Sequence, residues 1–188
     1  MRKLYLILLI IFISCGCKQR FSPKPNGYLR IGLEEKTDSL FQPKKCNFSF
    51  IAPNYLKMTY KTKNNCWLDL KFEKHKATIH LTYKDIEKNL NELYEESRDM
   101  VYKHTIKADA INEKKYLNYT NQTYGTLYDI HGQTASAIQF YLTDSTNHFI
   151  RGALYFEVNP NRDSLNPIIN HIREDIMQIM ETLNWTDQ

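Results

Sequence analysis

The chain has 188 residues, 42% of them apolar and 24% charged, with a formal net charge of +4. That is enough chain for a single core that buries about two-thirds of the unfolded surface. Basic residues are interspersed with acidic ones, which argues against the clustered cationic face of a nucleic-acid binder.

The chain opens with Arg2 and Lys3, continues through an apolar run from Leu4 to Ile13, and reaches small residues at Ser14-Cys15-Gly16-Cys17. A charged start, a short apolar middle and small residues at a cut describe an export signal, and a cysteine at the cut is the thioether acceptor of a bacterial lipoprotein. The apolar run is about ten residues long, against the roughly twenty needed to cross a bilayer as a helix. An uncleaved N-terminal anchor would also leave the small residues before the cysteine unexplained. Residues 1–14 are therefore expected to be a signal peptide, with lipid attachment at Cys15. Cys17 is the alternative: it has Gly16 at the cut but polar Ser14 where a branched apolar residue is usual, whereas Cys15 has bulky Phe12 in its approach. Each buried methylene contributes about 0.8 kcal/mol, so several acyl chains make the membrane a permanent partner. Residues 15–27 read as a tether, in which Lys18, Arg20 and Lys24 stand among Phe21, Pro23 and Pro25. These cations either touch anionic head groups or simply solvate a spacer. Residues 28–188 form a single globular domain, with neither an internal repeat nor a second domain.

Within that domain stand Cys46 and Cys66, on the side of the membrane where disulfides persist. A redox pair and metal ligation are the alternatives. There is no Cys-x-x-Cys, and no histidine lies two to four residues from either cysteine, so a structural disulfide is the reading. If Cys15 is lipidated, Cys17 is left as an odd thiol.

The hydrophobic period then changes several times. Phe48 to Ile51, Leu56 to Tyr60 and Cys66 to Phe72 are short strand-like runs, parted by Pro53 and a Lys63-Asn64-Asn65 turn. Lys76 to Tyr83 alternates, with Ala77, Ile79 and Leu81 facing one way and Lys76, Thr78, His80 and Thr82 the other. From Asp85 the period lengthens through Ile86, Leu90, Leu93, Tyr94, Val101 and Ala108, which predicts an amphipathic helix opened by Asp85. Three β-rich runs follow, Tyr124 to Ile130, Ala135 to Leu142 and His148 to Val158, with short turns that imply an antiparallel meander. Asp163-Ser164 is expected to cap a last helix with the stripe Leu165, Ile168, Ile169, Ile172, Ile176, Ile179 and Leu183. Pro167 is tolerated there because first-turn amides lack helical acceptors. Strands, helix, strands, helix is an α+β order: an antiparallel sheet flanked by two amphipathic helices.

Catalytic signatures are missing from this pattern. The six histidines include no His-x-x-x-His or His-Glu-x-x-His spacing, and no metal or cofactor is implied. Asp129, His131 and Ser136 lie close in sequence but without a Gly-x-Ser-x-Gly elbow. Phosphate-binding glycine loops are absent, and the thirteen tyrosines read first as strand formers. The expectation is a protein that is not an enzyme.

Several long blocks carry a resemblance. The stretches Ala77 to Tyr83, Tyr102 to Ile111, Gln139 to Thr146 and His148 to Phe156, with Pro23-Lys24-Pro25 and the pair Cys46 and Cys66-Trp67, closely resemble the gliding motility lipoprotein GldD family of the Bacteroidota. The resemblance runs from the leader to Trp185. It implies a cell-envelope lipoprotein required for gliding, a motility linked to type IX secretion, with other envelope proteins of the gliding machinery as partners. It supplies no catalytic residues. Surface lipoproteins of that phylum usually carry acidic residues after the acylated cysteine, whereas Lys18, Gln19 and Arg20 follow here, so a periplasm-facing position is expected. The element order also resembles that of the PsbP and Mog1 superfamily, as a fold analogy only.

Three functions follow from this reading: an accessory or assembly component acting through protein contacts, a periplasmic ligand- or glycan-binding lipoprotein, and an envelope hydrolase. One working surface is singled out. Tyr141, Asp144, His148 and Arg151 flank the turn Ser145-Thr146-Asn147, which should gather them at one edge of the sheet. They are either a partner-docking corner or a hairpin network in which Arg151 pairs with Asp144.

Overall fold

A computed structural model describes residues 32, 35–44, 46–61, 66–157 and 162–186. The expected signal peptide, Cys15 and Cys17, the tether and the turn at 63–65 lie outside the described residues.

Among the described residues ten strands and two α-helices follow in the order β1 (Asp38–Phe41), β2 (Phe48–Pro53), β3 (Lys57–Tyr60), β4 (Trp67–Phe72), β5 (Ala77–Asp85), α1 (Leu90–Tyr102), β6 (Ala108–Asn118), β7 (Thr123–Gly132), β8 (Ser136–Thr143), β9 (His148–Phe156), α2 (Arg162–Thr182) and β10 (Asn184–Trp185). The fold is α+β. A seven-stranded sheet runs β3-β4-β5-β9-β8-β7-β6, and β1-β2-β10 form a smaller one. All pairings are antiparallel.

Period-two alternation decides what each face of the large sheet meets. Ile79 and Leu81 of β5, Ile150 and Leu154 of β9, and Ile138, Phe140 and Leu142 of β8 enter one core with Ile169, Ile172, Ile176 and Ile179 of α2. Phe48, Phe50 and Ala52 of β2 join the same cluster, so the small sheet and α2 cover this face together. On the opposite face Val101 of α1 packs on Tyr128 and Ile130 of β7. That second face is the more polar one, carrying Thr78, His80 and Thr82 of β5.

The helix boundaries differ from expectation. Asp85 does not open the first helix: it ends β5 opposite His148, and α1 begins five residues later at Leu90. Ala108 is not helical either. After Tyr102 the chain makes a single 3-10 turn, Lys103–Ile106, and enters β6, an edge strand paired with β7 from Ala108↔Gly132 to Asn118↔Thr123. The last helix begins at Arg162, so Asp163 and Ser164 lie in its first turn instead of capping it, and Pro167 lies inside the helix, beyond that first turn.

Candidate functional site

Arg151 belongs to β9, the central strand of the seven, and points to the polar face. Its cross-strand neighbours are Thr82 of β5 and Tyr141 of β8. Its guanidinium donates to Gln139 Oε1 at 2.6 Å, an amide that is itself 1% exposed and whose Nε2 has no hydrogen-bond partner among the described residues. No carboxylate among the described residues pairs with Arg151. Burial pulls its pKa below the ordinary arginine value, against the raising influence of Tyr155 and Glu96. A guanidinium stays protonated through such a shift, so this is a permanent cation in a desolvated place.

Above Arg151 the sheet and α1 leave a cleft of about 190 Å³. Leu93 and Met100 of α1, Phe149 of β9 and Trp67 of β4 supply apolar walls, while Thr82 and Ser97 add hydroxyls. Lys84 and Glu96 also line the cleft and bond to each other, Nζ to Oε2, at 2.7 Å. His104 stands near enough to feel Arg151: burial first, and that positive charge second, hold its imidazole below its ordinary pKa. It is therefore mainly neutral near pH 7. Aromatic contacts hold α1 down beside the cleft, with Tyr94 5.2 Å from Tyr141 and Tyr141 stacked on Phe149 at 5.5 Å between ring centroids.

The four residues expected at one corner are divided by the sheet. Tyr141 and Arg151 share the α1 face. His148, three residues from Arg151, falls on the other face, where it is buried, stacks on Trp185 at 5.1 Å and lies 2.7 Å from Tyr83 Oη. Asp144 is not paired with Arg151. Its Oδ1 accepts the backbone amides of Thr146, Asn147 and His148, closing its own turn. β8 and β9 are interior strands, so these positions are not at a sheet edge.

Elsewhere, Cys46 and Cys66 form a disulfide with Cα atoms 5.6 Å apart. Asp129 is bound by Arg173 through two nitrogens at 2.9 Å, His131 lies 3.1 Å from Asn112, and Ser136 donates to Ile138, so those three form no catalytic array. Among the described residues no group of three or more His, Cys, Asp or Glu is placed to hold an ion.

Two polar groupings escaped the sequence reading. On the polar face Asp69 and His80 are cross-strand partners bonded at 2.6 Å. On the α2 side Asp175 is fully buried, accepting the Tyr55 hydroxyl at 2.6 Å and meeting Lys36 Nζ at 2.9 Å. His171, one turn earlier, lies 3.1 Å from the same hydroxyl and edge-on to His75. The one signal for this second group was the helical spacing of His171 and Asp175, which puts them on one side of α2.

No helix among the described residues is long and apolar enough to cross a membrane. No curated protein matches the chain. The solution structure of cyanobacterial PsbP (CyanoP) from Synechocystis sp. PCC 6803 is similar at 9% identity with a TM-score of 0.49, over 86% of this chain and 99% of that one. A family model described as gliding motility lipoprotein GldD matches residues 18–185. The chain belongs to the gliding motility lipoprotein GldD family.

Proposed function

We propose that this envelope lipoprotein is an accessory or assembly component of the gliding apparatus and its associated type IX secretion machinery, acting through protein contacts. The observation that carries the reading is the match to the family model over residues 18–185. In this proposal residues 1–14 are removed, Cys15 carries the lipid with Cys17 as the alternative, residues 15–27 lead away from the membrane, and residues 28–188 face the periplasm. A contact role suits the surface. Ile106 is 91% exposed at the entrance to edge strand β6, and Leu117 and Tyr119 at its far end are 59% and 75% exposed. Apolar side chains on an unpaired edge are where a partner gains buried area, and Glu113, Lys114 and Lys115 between them discourage indiscriminate strand pairing.

Crosslinking in native membranes followed by capture of the lipidated protein tests this. Envelope proteins of the gliding machinery are expected to co-purify, and a strain lacking the protein should fail to spread. Normal spreading of that strain, or capture without any envelope partner, would overturn the proposal. The cleft under α1 favours a second reading, a ligand-binding role, developed below.

A further inference from the structure

We propose that the cleft between α1 and the central strands is a binding site for a monoanionic carboxylate on a short apolar stem, seated on Arg151. This goes beyond the contact role and is independent of it. Charge sets the ligand class. Three charged side chains line the cleft: Arg151, Lys84 and Glu96. Lys84 and Glu96 satisfy each other at 2.7 Å, and nearby His104 is held mainly neutral, which leaves the single charge of Arg151 unbalanced. One unmatched cation suits a monoanion; a phosphate dianion would leave charge uncompensated in a partly desolvated place.

Shape narrows the class further. A guanidinium presents a planar fork that matches a carboxylate with two parallel hydrogen bonds. The fork is only partly engaged here, since Gln139 accepts from one terminal nitrogen, Nη2. Among the described residues no other side-chain hydrogen bond occupies its remaining N–H donors, and the Thr82 and Ser97 hydroxyls stand in the same cleft as Arg151. Leu93, Met100, Phe149 and Trp67 make the walls apolar. At about 190 Å³ the space falls below the range of drug-sized pockets, roughly 300–1,000 Å³. The occupant is therefore small: a short-chain carboxylic acid, or the C-terminal carboxylate of a peptide ending in an apolar residue. Both present the same chemistry to Arg151.

A cation in this position is costly to keep without a purpose. A half-buried guanidinium with no carboxylate of its own, Glu96 being bonded to Lys84, carries a desolvation cost, and a methionine would fill a similar volume without it. Arg151 occupies the middle of the sheet, where neighbouring strands fix its backbone on both sides and Gln139 holds one end of its guanidinium.

Isothermal titration calorimetry on the full lipidated protein in a neutral detergent tests the site with hexanoate, hexanamide, N-acetyl-leucine, N-acetyl-leucinamide and inorganic phosphate. At least one carboxylate should bind saturably, its amide at least about tenfold more weakly, as expected for loss of a charge-assisted pair. Stronger binding of hexanoate assigns a free acid, and stronger binding of N-acetyl-leucine assigns a chain end; either outcome supports the site. Arg151→Met should erase the preference for carboxylate over amide. Met100→Trp, which fills the cleft without touching Arg151, should weaken both, and it keeps the test decisive if Arg151→Met fails to fold. No saturable binding of either carboxylate, equal binding of the better carboxylate and its amide, or phosphate binding as tightly as the better carboxylate would overturn the proposal.

Discussion

The carboxylate of Asp144 is set by its own turn. Three backbone amides, those of Thr146, Asn147 and His148, donate to Oδ1 at 2.8–2.9 Å, and the Thr146 hydroxyl donates to Oδ2 at 2.8 Å. Burial alone would push the Asp144 pKa up, but these donors outweigh it and hold the group below its ordinary value. As pH falls, the unfolded chain takes up this proton before the folded chain does. The stabilisation is therefore complete above the unfolded value, about 4, and is lost as pH drops through the lower folded value. Asp144→Ala should be less stable near neutral pH by about 1–2 kcal/mol and should show a flatter decline on acidification. Urea unfolding at a series of pH values measures both. Parallel pH curves for variant and parent would show that the turn does not depend on this carboxylate.

At the scale of elements, legibility followed hydrophobic period. Strand β5 was readable because Ala77, Ile79 and Leu81 are buried on one face and alternate strictly with polar residues. Helix α2 was readable because its isoleucines recur at helical spacing and enter the core. Strand β6 was not. Its residues are mostly polar and exposed, and only pairing with β7 makes them a strand, so tertiary contact overrode weak local preference. The helix is shorter than its sequence suggests at both ends: Asp85 resembles a cap and Ile86 and Ala108 fit the apolar rhythm, but pairing with neighbouring strands places Asp85 in β5 and Ala108 in β6. Packing between strands was also invisible in sequence. Gly152 of β9 faces Phe140 of β8, whose ring lies where a Cβ would be, with Leu81 Cδ2 at 3.0 Å from the same point. Gly152→Ala should destabilise the domain by about 1–3 kcal/mol through overpacking. Thermal unfolding of the variant checks this, and an unchanged midpoint would mean that the ring turns aside freely.

For the whole molecule, the sequence held the fold class and the family but not the site. Arg151 was singled out for a turn it does not serve. Its value lies in which face it occupies, and a three-residue step along a strand reverses that face, separating it from His148. The buried group of Asp175, Tyr55 and Lys36 joins segments more than a hundred residues apart, beyond the reach of any local pattern. What joins the two sheets covalently was legible as two cysteines and a compartment. Cys46 precedes β2 in the small sheet and Cys66 precedes β4 in the large one, twenty residues later. A loop of this size contributes about 3 kcal/mol by constraining the unfolded chain, within a usual range of about 2–5 kcal/mol. Denaturation of the wild type with and without a reductant should show a loss of that size, and the double variant Cys46→Ser/Cys66→Ser should match the reduced protein and ignore the reductant. A wild type whose stability does not change on reduction, or whose Cys46 and Cys66 are both alkylated in protein taken directly from cells, would show that the sheets are held by packing alone.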